Sequence, residues 1–205
     1  MPNSIRSLGK NTLFLRCGVC PDRYAGRRSV LRCGGRTPKI ESMAESISFS
    51  RGAGRAVIYR ELLPQIESLI ADETDTVANL ANVAAVLKEA FGFFWVGFYI
   101  FKDGELVLGP FQGPLACTRI APGKGVCGHA FEAQTTVIVP DVDKFPGHIA
   151  CSSAARSEIV VPIFSENGNV YGVLDVDSDE LDDFSAQDAE GLEAIATALK
   201  TVVGG

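Results

Sequence analysis

The stretch that indicates the fold is Ile159-Val-Val-Pro-Ile-Phe-Ser-Glu-Asn-Gly-Asn-Val-Tyr-Gly-Val-Leu-Asp-Val-Asp177. Its apolar residues 159–164 predict a strand that ends at residues 166–169, where an Asn-Gly pair favours a tight hairpin turn. Residues 170–177 predict the returning strand. The stretch therefore indicates an antiparallel pair of strands, to which the neighbouring elements can be added.

More strands and a short helix are predicted before this hairpin. Strands are expected at residues 93–101, 106–112, 116–120 and 136–139, with a short helix at residues 126–131. A loop then covers residues 141–156. It is long for a compact domain, and such loops are usually functional or disordered.

Three longer helices are predicted from apolar residues at three- and four-residue spacing. They begin near Gly54, at a cap formed by Thr74 or Asp75, and at Ser185, where Asp188 completes a capping box and the helix runs through Val202. Together the elements predict an α+β fold, an antiparallel sheet with helices packed on one face.

The charge of the chain is unevenly distributed. Residues 1–40 carry nine Lys or Arg and one acid, a net charge of +8, whereas the rest carries ten basic and twenty-four acidic residues, a net charge of −14. We expect residues 1–45 to be a basic extension, either disordered or transit-like, and residues 46–205 to be a single domain. So acidic a domain is a poor candidate for nucleic-acid binding, and no apolar run is long enough to span a membrane.

Six cysteines suggest a reducing, intracellular compartment, because no hydrophobic signal peptide precedes them. We therefore expect a soluble protein of the cytoplasm, or of mitochondria or plastids if the extension is a transit peptide. The pair Cys17 and Cys20, with Cys33 beyond it, has no histidine nearby to complete a zinc site. A second zinc set is possible by count but fits only one short ligand interval, so no metal is expected: Cys117, Cys127, His129, His148 and Cys151.

The cysteines of the acidic part differ in their surroundings. Cys151 lies in the long loop among small residues, with Arg156 nearby, which favours access and a thiolate. Cys117 lies by a predicted strand, and Cys127 lies in an apolar helix, where it is expected to be buried. A redox pair among them and a set of inert thiols both remain open.

Three carboxylates are expected to converge. Asp175 and Asp177 are two residues apart on a strand and share a face, and Glu158 begins the strand that pairs with theirs. Like charges in close array require a cation among them or a proton on one of them. The group could hold a ligand ammonium or transfer a proton, although Asp177 could instead begin a solvated acidic turn.

Trp95 and Tyr99 are four residues apart and share one face of a predicted strand. Packing in the core is one interpretation. The other is an aromatic wall around a small apolar or sulfur-bearing group of a ligand.

Taken together, these residues resemble a known family. The chain is similar over about residues 52–203 to the free methionine-(R)-sulfoxide reductases, which are GAF domains. The resemblance is carried by Trp95-Val-Gly-Phe-Tyr99, Gly109-Pro-Phe-Gln-Gly113, Ala116-Cys117, Gly125-Val-Cys127-Gly128, Val139-Pro-Asp-Val142, His148-Ile-Ala-Cys151, Ser157-Glu158-Ile-Val-Val-Pro162 and Gly172-Val-Leu-Asp-Val-Asp-Ser178. The three cysteines at ten- and twenty-four-residue intervals make it specific.

The resemblance implies a thiol mechanism. Cys151 would attack the sulfoxide sulfur and become a sulfenic acid. Cys117 would then form a disulfide with it, with Cys127 as an alternative or relay partner. No cofactor would be bound, since thioredoxin would reduce the enzyme and draw indirectly on NADPH through thioredoxin reductase.

The resemblance also implies a binding mode for the free amino acid. Glu158, Asp175 and Asp177 would hold the ammonium and supply a proton, and Trp95 and Tyr99 would wall the S-methyl group. Backbone N–H groups around Ile149, Ala150 and Cys151 would take the carboxylate. The family also suggests a homodimer. The rival interpretations are a non-catalytic GAF module that senses a small ligand and a redox-sensing thiol switch.

Overall fold

The computed structural model describes residues 46–149 and 153–203. The basic extension, with its Cys17, Cys20 and Cys33, lies outside these residues, and so do Ala150 and Cys151. The expected domain boundary at residue 45 and the expectations for these cysteines therefore stay predictions.

The described residues form one antiparallel sheet of six strands, in the order β3-β2-β1-β6-β5-β4. The strands are β1 (Trp95–Lys102), β2 (Glu105–Gln112), β3 (Arg119–Ile120), β4 (Val137–Val139), β5 (Ser157–Phe164) and β6 (Val170–Ser178). The hairpin predicted for residues 159–177 is confirmed as β5 and β6, with Val161 opposite Leu174. Only β3 is clearly shorter than predicted. The carbonyl of Cys117, inside the predicted strand, accepts a hydrogen bond from the Tyr99 hydroxyl instead of a strand N–H.

Four α-helices complete the described part of the chain. They are α1 (Arg55–Ala71), α2 (Thr76–Phe91), α3 (Gly125–Ala133) and α4 (Ala186–Leu199). The caps predicted at Asp75 and at Ser185 with Asp188 are confirmed. The last helix ends before Val202, whose N–H donates to the carbonyl of Leu199 in a tighter turn. Within the described residues, no helix has the length and apolar character needed to cross a membrane.

The two faces of the sheet bury separate clusters of apolar side chains. Helices α1, α2 and α4 pack on one face, against residues such as Phe98 and Leu174. On the opposite face, α3 buries Val126 and Ala130 against Tyr99. The α+β class is thus confirmed, and the structure adds that the shortest of the four helices covers the second face. That face carries the candidate active site.

A partly buried ionic cluster joins α1 to α4. The Arg55 guanidinium lies 3.1 Å from Asp188 Oδ1 and 2.8 Å from Asp183 Oδ1. Tyr59 donates its hydroxyl to Asp188 Oδ1 at 3.2 Å, while Asp188 Oδ2 accepts both the N–H and the O–H of Ser185 at 2.9 Å. The nearly fully buried carboxylate of Asp188 therefore accepts hydrogen bonds from three residues.

We expect Asp188→Ala to lower the free energy of unfolding by about 3–5 kcal/mol, because it leaves Arg55 and Tyr59 without their buried acceptor. Asp183→Ala is the matched control: it also removes one charge beside Arg55, but Asp183 is more exposed, and we expect a loss of about 1 kcal/mol or less. Urea denaturation of both variants measures the difference. Equal losses would contradict the role of Asp188.

Candidate active site

A small cavity of about 30 Å³ opens on the face that α3 covers. Seven of the ten site residues singled out from the sequence line it, namely Trp95, Tyr99, Cys127, Ile149, Glu158, Asp175 and Asp177. Of the other three, Cys117 follows the lining residue Ala116, and Ala150 and Cys151 lie outside the described residues.

Two stacked aromatic rings form one wall of the cavity. The ring centroids of Trp95 and Tyr99 are 6.1 Å apart, and Trp95 stacks on Phe111 at 5.4 Å. Trp95 Nε1 donates to the carbonyl of Pro114 at 3.1 Å, and the Tyr99 hydroxyl donates to the carbonyl of Cys117 at 2.9 Å. Both polar ends are thus satisfied, and the rings serve the core and the cavity wall together.

Gly97, between these two aromatic residues, is a structural requirement that the sequence interpretation missed. A Cβ atom at this position would lie 2.4 Å from the Cβ of Phe111 and 2.5 Å from the ring of Trp95. Because no real Cβ makes such contacts, only glycine lets Trp95 lie across the strand. The signal was present as a glycine inside an otherwise aromatic strand, which often marks a close approach of this kind.

The three carboxyl groups lie on the same face of the sheet, as the strand period predicts. Glu158 of β5 is directly opposite Asp177 of β6, and Asp177 is opposite Trp95 of β1. Asp175, two residues earlier on β6, faces the same cavity. Asp177 therefore does not begin the solvated acidic turn, whose first exposed acid is Asp179.

Burial disfavours the ionised form of all three groups. It is the main cause that raises the pKa of Glu158 well above its usual value, and the neighbouring charges of Asp175 and Asp177 add to it. Burial and Asp175 likewise raise the pKa of Asp177. Burial also raises the pKa of Asp175, but only to about 6. Hydrogen bonds from Cys127, Glu158 and the Val176 backbone favour its ionised form and so limit the rise. Asp175 is thus the carboxyl group of the three that ionises most readily, and Glu158 and Asp177 hold a proton that they can donate.

One oxygen of this group is left without a partner. Asp175 Oδ1 is buried and accepts no hydrogen bond from any described residue. Leaving a buried acceptor unsatisfied costs about 1–3 kcal/mol, more when it is charged. A cationic or hydrogen-bond-donating ligand in the cavity would remove this cost.

Cys127 of α3 is the free cysteine of the described residues, and its thiol is buried. It donates a weak hydrogen bond to Glu158 Oε1, with 3.9 Å between sulfur and oxygen. Burial, and then the charges of Asp175 and Glu158, raise its pKa well above the usual value. The Cys127 thiol is therefore hard to deprotonate in this state. Its burial confirms the expectation from the sequence.

Cys117 has different surroundings. It lies in the segment between β2 and β3, is partly exposed, and is disulfide-bonded in this structure. Its side chain packs against the same apolar cluster as Trp95 and Tyr99. Unlike Cys127, it is accessible from the surface beside the cavity.

His148 also lines the cavity, in a position that the sequence did not predict. Its Nε2 lies 3.8 Å from Glu158 Oε2, and burial lowers the pKa of the imidazole. The zinc set considered from the sequence is not assembled as counted, because His129 is exposed and contacts Phe145 edge-on. The group that does converge is Cys127, Glu158 and Asp175, whose ligand atoms lie within 4.8 Å of one another.

The long loop is fixed at its two ends. The N–H of Val142 donates to the carbonyl of Arg156 at 3.0 Å, and the N–H of Arg156 donates to the carbonyl of Ser178 at 2.7 Å. His148 and Ile149 lie between these ends and form part of the cavity wall. The loop is therefore anchored to β6 beside the carboxyl groups.

Comparison with known proteins gives a consistent result. The GAF domain family matches residues 71–203. The free methionine-R-sulfoxide reductase of Saccharomyces cerevisiae is 41% identical, over 76% of this chain and 91% of its own length. That of Escherichia coli is 43% identical, over 71% of this chain and 88% of its own length. The structure of the Neisseria meningitidis enzyme, solved in complex with its substrate, is 60% identical with a TM-score of 0.73, covering 76% of this chain and 93% of that one. On fold, cavity and similarity together, the chain belongs to the free methionine-R-sulfoxide reductase family of GAF domains.

Proposed function

We propose that this protein reduces free methionine-R-sulfoxide to methionine, with Cys151 as the nucleophile. The observation that carries the proposal is the cavity, which is lined both by Glu158, Asp175 and Asp177 and by the aromatic pair Trp95 and Tyr99. The first set suits an ammonium and a proton transfer, and the second suits an S-methyl group. The relatives named above are reductases of this compound.

The cavity supports recognition of a whole, free amino acid. The substrate ammonium would lie against Asp175, whose Oδ1 has no partner among the described residues. The S-methyl group would pack on the rings of Trp95 and Tyr99, as thioethers and related groups do. Backbone N–H groups around residues 149–151 would bind the carboxylate. An acidic cavity can thus accept a zwitterion, because side chains bind its cation and backbone binds its anion.

In the first chemical step, the sulfoxide loses one oxygen atom and the Cys151 sulfur gains one. The thiolate attacks the sulfoxide sulfur while a protonated carboxyl group, Glu158 or Asp177, gives its proton to the oxygen. A sulfur–sulfur bond to Cys151 forms, and the sulfur–oxygen bond of the substrate breaks as its oxygen takes up a second proton and leaves as water. A water molecule then attacks the Cys151 sulfur, the sulfur–sulfur bond breaks, methionine leaves with both electrons of that bond on its sulfur, and Cys151 becomes a sulfenic acid. The substrate is reduced by two electrons and the cysteine is oxidised by two.

The second step returns the enzyme to its dithiol form. The Cys117 thiol attacks the sulfenic acid, water leaves, and a disulfide forms. Cys117 is favoured over Cys127 because Cys127 is buried and its pKa is raised. Reduced thioredoxin would then cleave the disulfide by thiol–disulfide exchange. The partial exposure of Cys117 supports access by such a partner.

An assay with purified protein, thioredoxin, thioredoxin reductase and NADPH tests the proposal. We expect NADPH consumption with free methionine-R-sulfoxide and none with the S epimer. N-acetyl-methionine-R-sulfoxide is the comparison substrate, since a neutral, bulkier amide replaces its ammonium, and its kcat/KM should be at least about 100-fold lower if a buried ion pair is lost. Binding of the free substrate without turnover would instead support the sensor interpretation.

A further inference from the structure

Three potential metal ligands meet in the cavity from three different elements. Cys127 comes from α3, Glu158 from β5 and Asp175 from β6. Their side chains are only 3%, 5% and 6% exposed. One ligand atom from each lies within 4.8 Å of the others. The packing of α3 on the sheet thus brings a soft sulfur to two hard oxygens.

Two further observations indicate that this group can accept a cation. Asp175 Oδ1 is buried and has no hydrogen-bond partner among the described residues, although it faces the cavity. In addition, no lysine or arginine is found among the described residues that line the cavity. The negative charge of an ionised Asp175 is therefore not compensated by a lysine or arginine among the described residues of the cavity lining.

The sulfur atom distinguishes a metal ion from an ammonium. An ammonium is satisfied by oxygen acceptors alone, and so are Mg²⁺ and Ca²⁺, whereas a thiolate with carboxylates and imidazole suits Zn²⁺. Tetrahedral zinc with bonds of about 2.3 Å to sulfur and about 2.0 Å to oxygen places these atoms about 3.5 Å apart. Cys127 Sγ and Glu158 Oε1 are 3.9 Å apart, so a small side-chain adjustment is sufficient.

We propose that Cys127, Glu158 and Asp175 bind one Zn²⁺ ion, which competes with the substrate ammonium for Asp175. The competition rests on the proposed function, whereas the ion site does not. His148 would supply a fourth ligand, since its Nε2 lies 3.8 Å from Glu158 Oε2. Zinc is in this view a reversible inhibitor of reduction and not its cofactor, and a chelator restores activity.

Titration with Co²⁺ and Zn²⁺ tests the site directly. The reduced full-length protein is used with Cys17, Cys20 and Cys33 replaced by Ser, so that their thiols cannot contribute. We expect one ion per chain by calorimetry and a thiolate-to-Co²⁺ charge-transfer band. Cys127→Ser should abolish the band and lower the Zn²⁺ affinity at least about 100-fold, since even outer-shell partners of a metal are worth about 10- to 100-fold.

The matched controls are Cys117→Ser and Cys151→Ser, which should keep both the band and the affinity. A band that persists in Cys127→Ser, or disappears in Cys151→Ser, would overturn the site. If Cys127→Ser does not fold by circular dichroism, Asp175→Asn and Glu158→Gln take its place, and unchanged Zn²⁺ affinity in both would be equally decisive.

The competition is measured in Cys151→Ser, which cannot turn over substrate by the proposed mechanism. Free methionine-R-sulfoxide at saturation should raise the apparent Kd for Zn²⁺ at least 10-fold. No change would refute the competition while leaving the ion site in place. NADPH consumption in the coupled assay, together with no Zn²⁺ binding, would refute the site and keep the proposed function, so the two failures are distinguishable.

Discussion

We expect Cys151→Ser to lower the rate of methionine-R-sulfoxide reduction at least about 1,000-fold, because a serine hydroxyl is a weak nucleophile at neutral pH and cannot form a sulfenic acid. The measurement is methionine released per chain in a single turnover, with no reductant added. The substrate should still bind, since the carboxyl groups and aromatic rings of the cavity are unchanged. A loss of binding would point to a different role for Cys151.

Cys117→Ser is the matched control, because it removes another thiol of the same domain without removing the proposed nucleophile. We expect it to release about one methionine per chain in the single-turnover assay. No further turnover should follow, even when thioredoxin is present. Full activity of Cys151→Ser would show that the nucleophile is another cysteine. Continued turnover of Cys117→Ser would show that another thiol, such as Cys127, can resolve the sulfenic acid.

Asp175→Asn should give the second large loss. The amide has nearly the shape of the carboxyl group but cannot pair with the substrate ammonium, and the loss of a buried charge pair costs about 2–5 kcal/mol, or about 30- to 5,000-fold in kcat/KM. Because ionisation of the buried Asp175 carboxyl group is itself unfavourable, we expect the variant to unfold at no lower urea concentration than the parent. Steady-state kinetics and urea denaturation measure the two effects.

Asp179→Asn is the control for this variant, since it removes one negative charge four residues along the chain from an exposed position. Its kcat/KM should stay within about twofold of the parent, because exposed charges are strongly screened. Similar losses in both variants would mean that long-range charge, and not a contact in the cavity, accounts for the effect.

The shared face of Asp175 and Asp177 could be predicted, because side chains alternate along a strand. That Glu158 joins them depends on a feature the sequence did not predict. Next to the turn Phe164 pairs with Val170, and this register alone would place Glu158 opposite Val176; a one-residue shift between Ile163 and Phe164 places it opposite Asp177 instead. This part of the cavity is encoded by residues close together in sequence.

The position of Cys127 beside Glu158 could not be predicted in the same way. The two residues are 31 positions apart, and their approach depends on which face of the sheet α3 covers. The apolar pattern of a nine-residue helix does not choose between two apolar faces. The same limit applies to Arg55 and Asp188, which are 133 positions apart: their ion pair exists only because α1 and α4 pack on each other.

The closed ends of the long loop have a consequence for how the family can change. Val142 is joined to Arg156, and Arg156 to Ser178, by backbone hydrogen bonds. Doubling the length of a flexible loop between fixed ends costs only about 0.6 kcal/mol. At Gly147, where φ is 76°, no atom lies within 4 Å of the place a side chain would begin. Insertions at Gly147 should therefore cost the fold little, while the sheet and the proposed nucleophile Cys151, four residues further along, are kept.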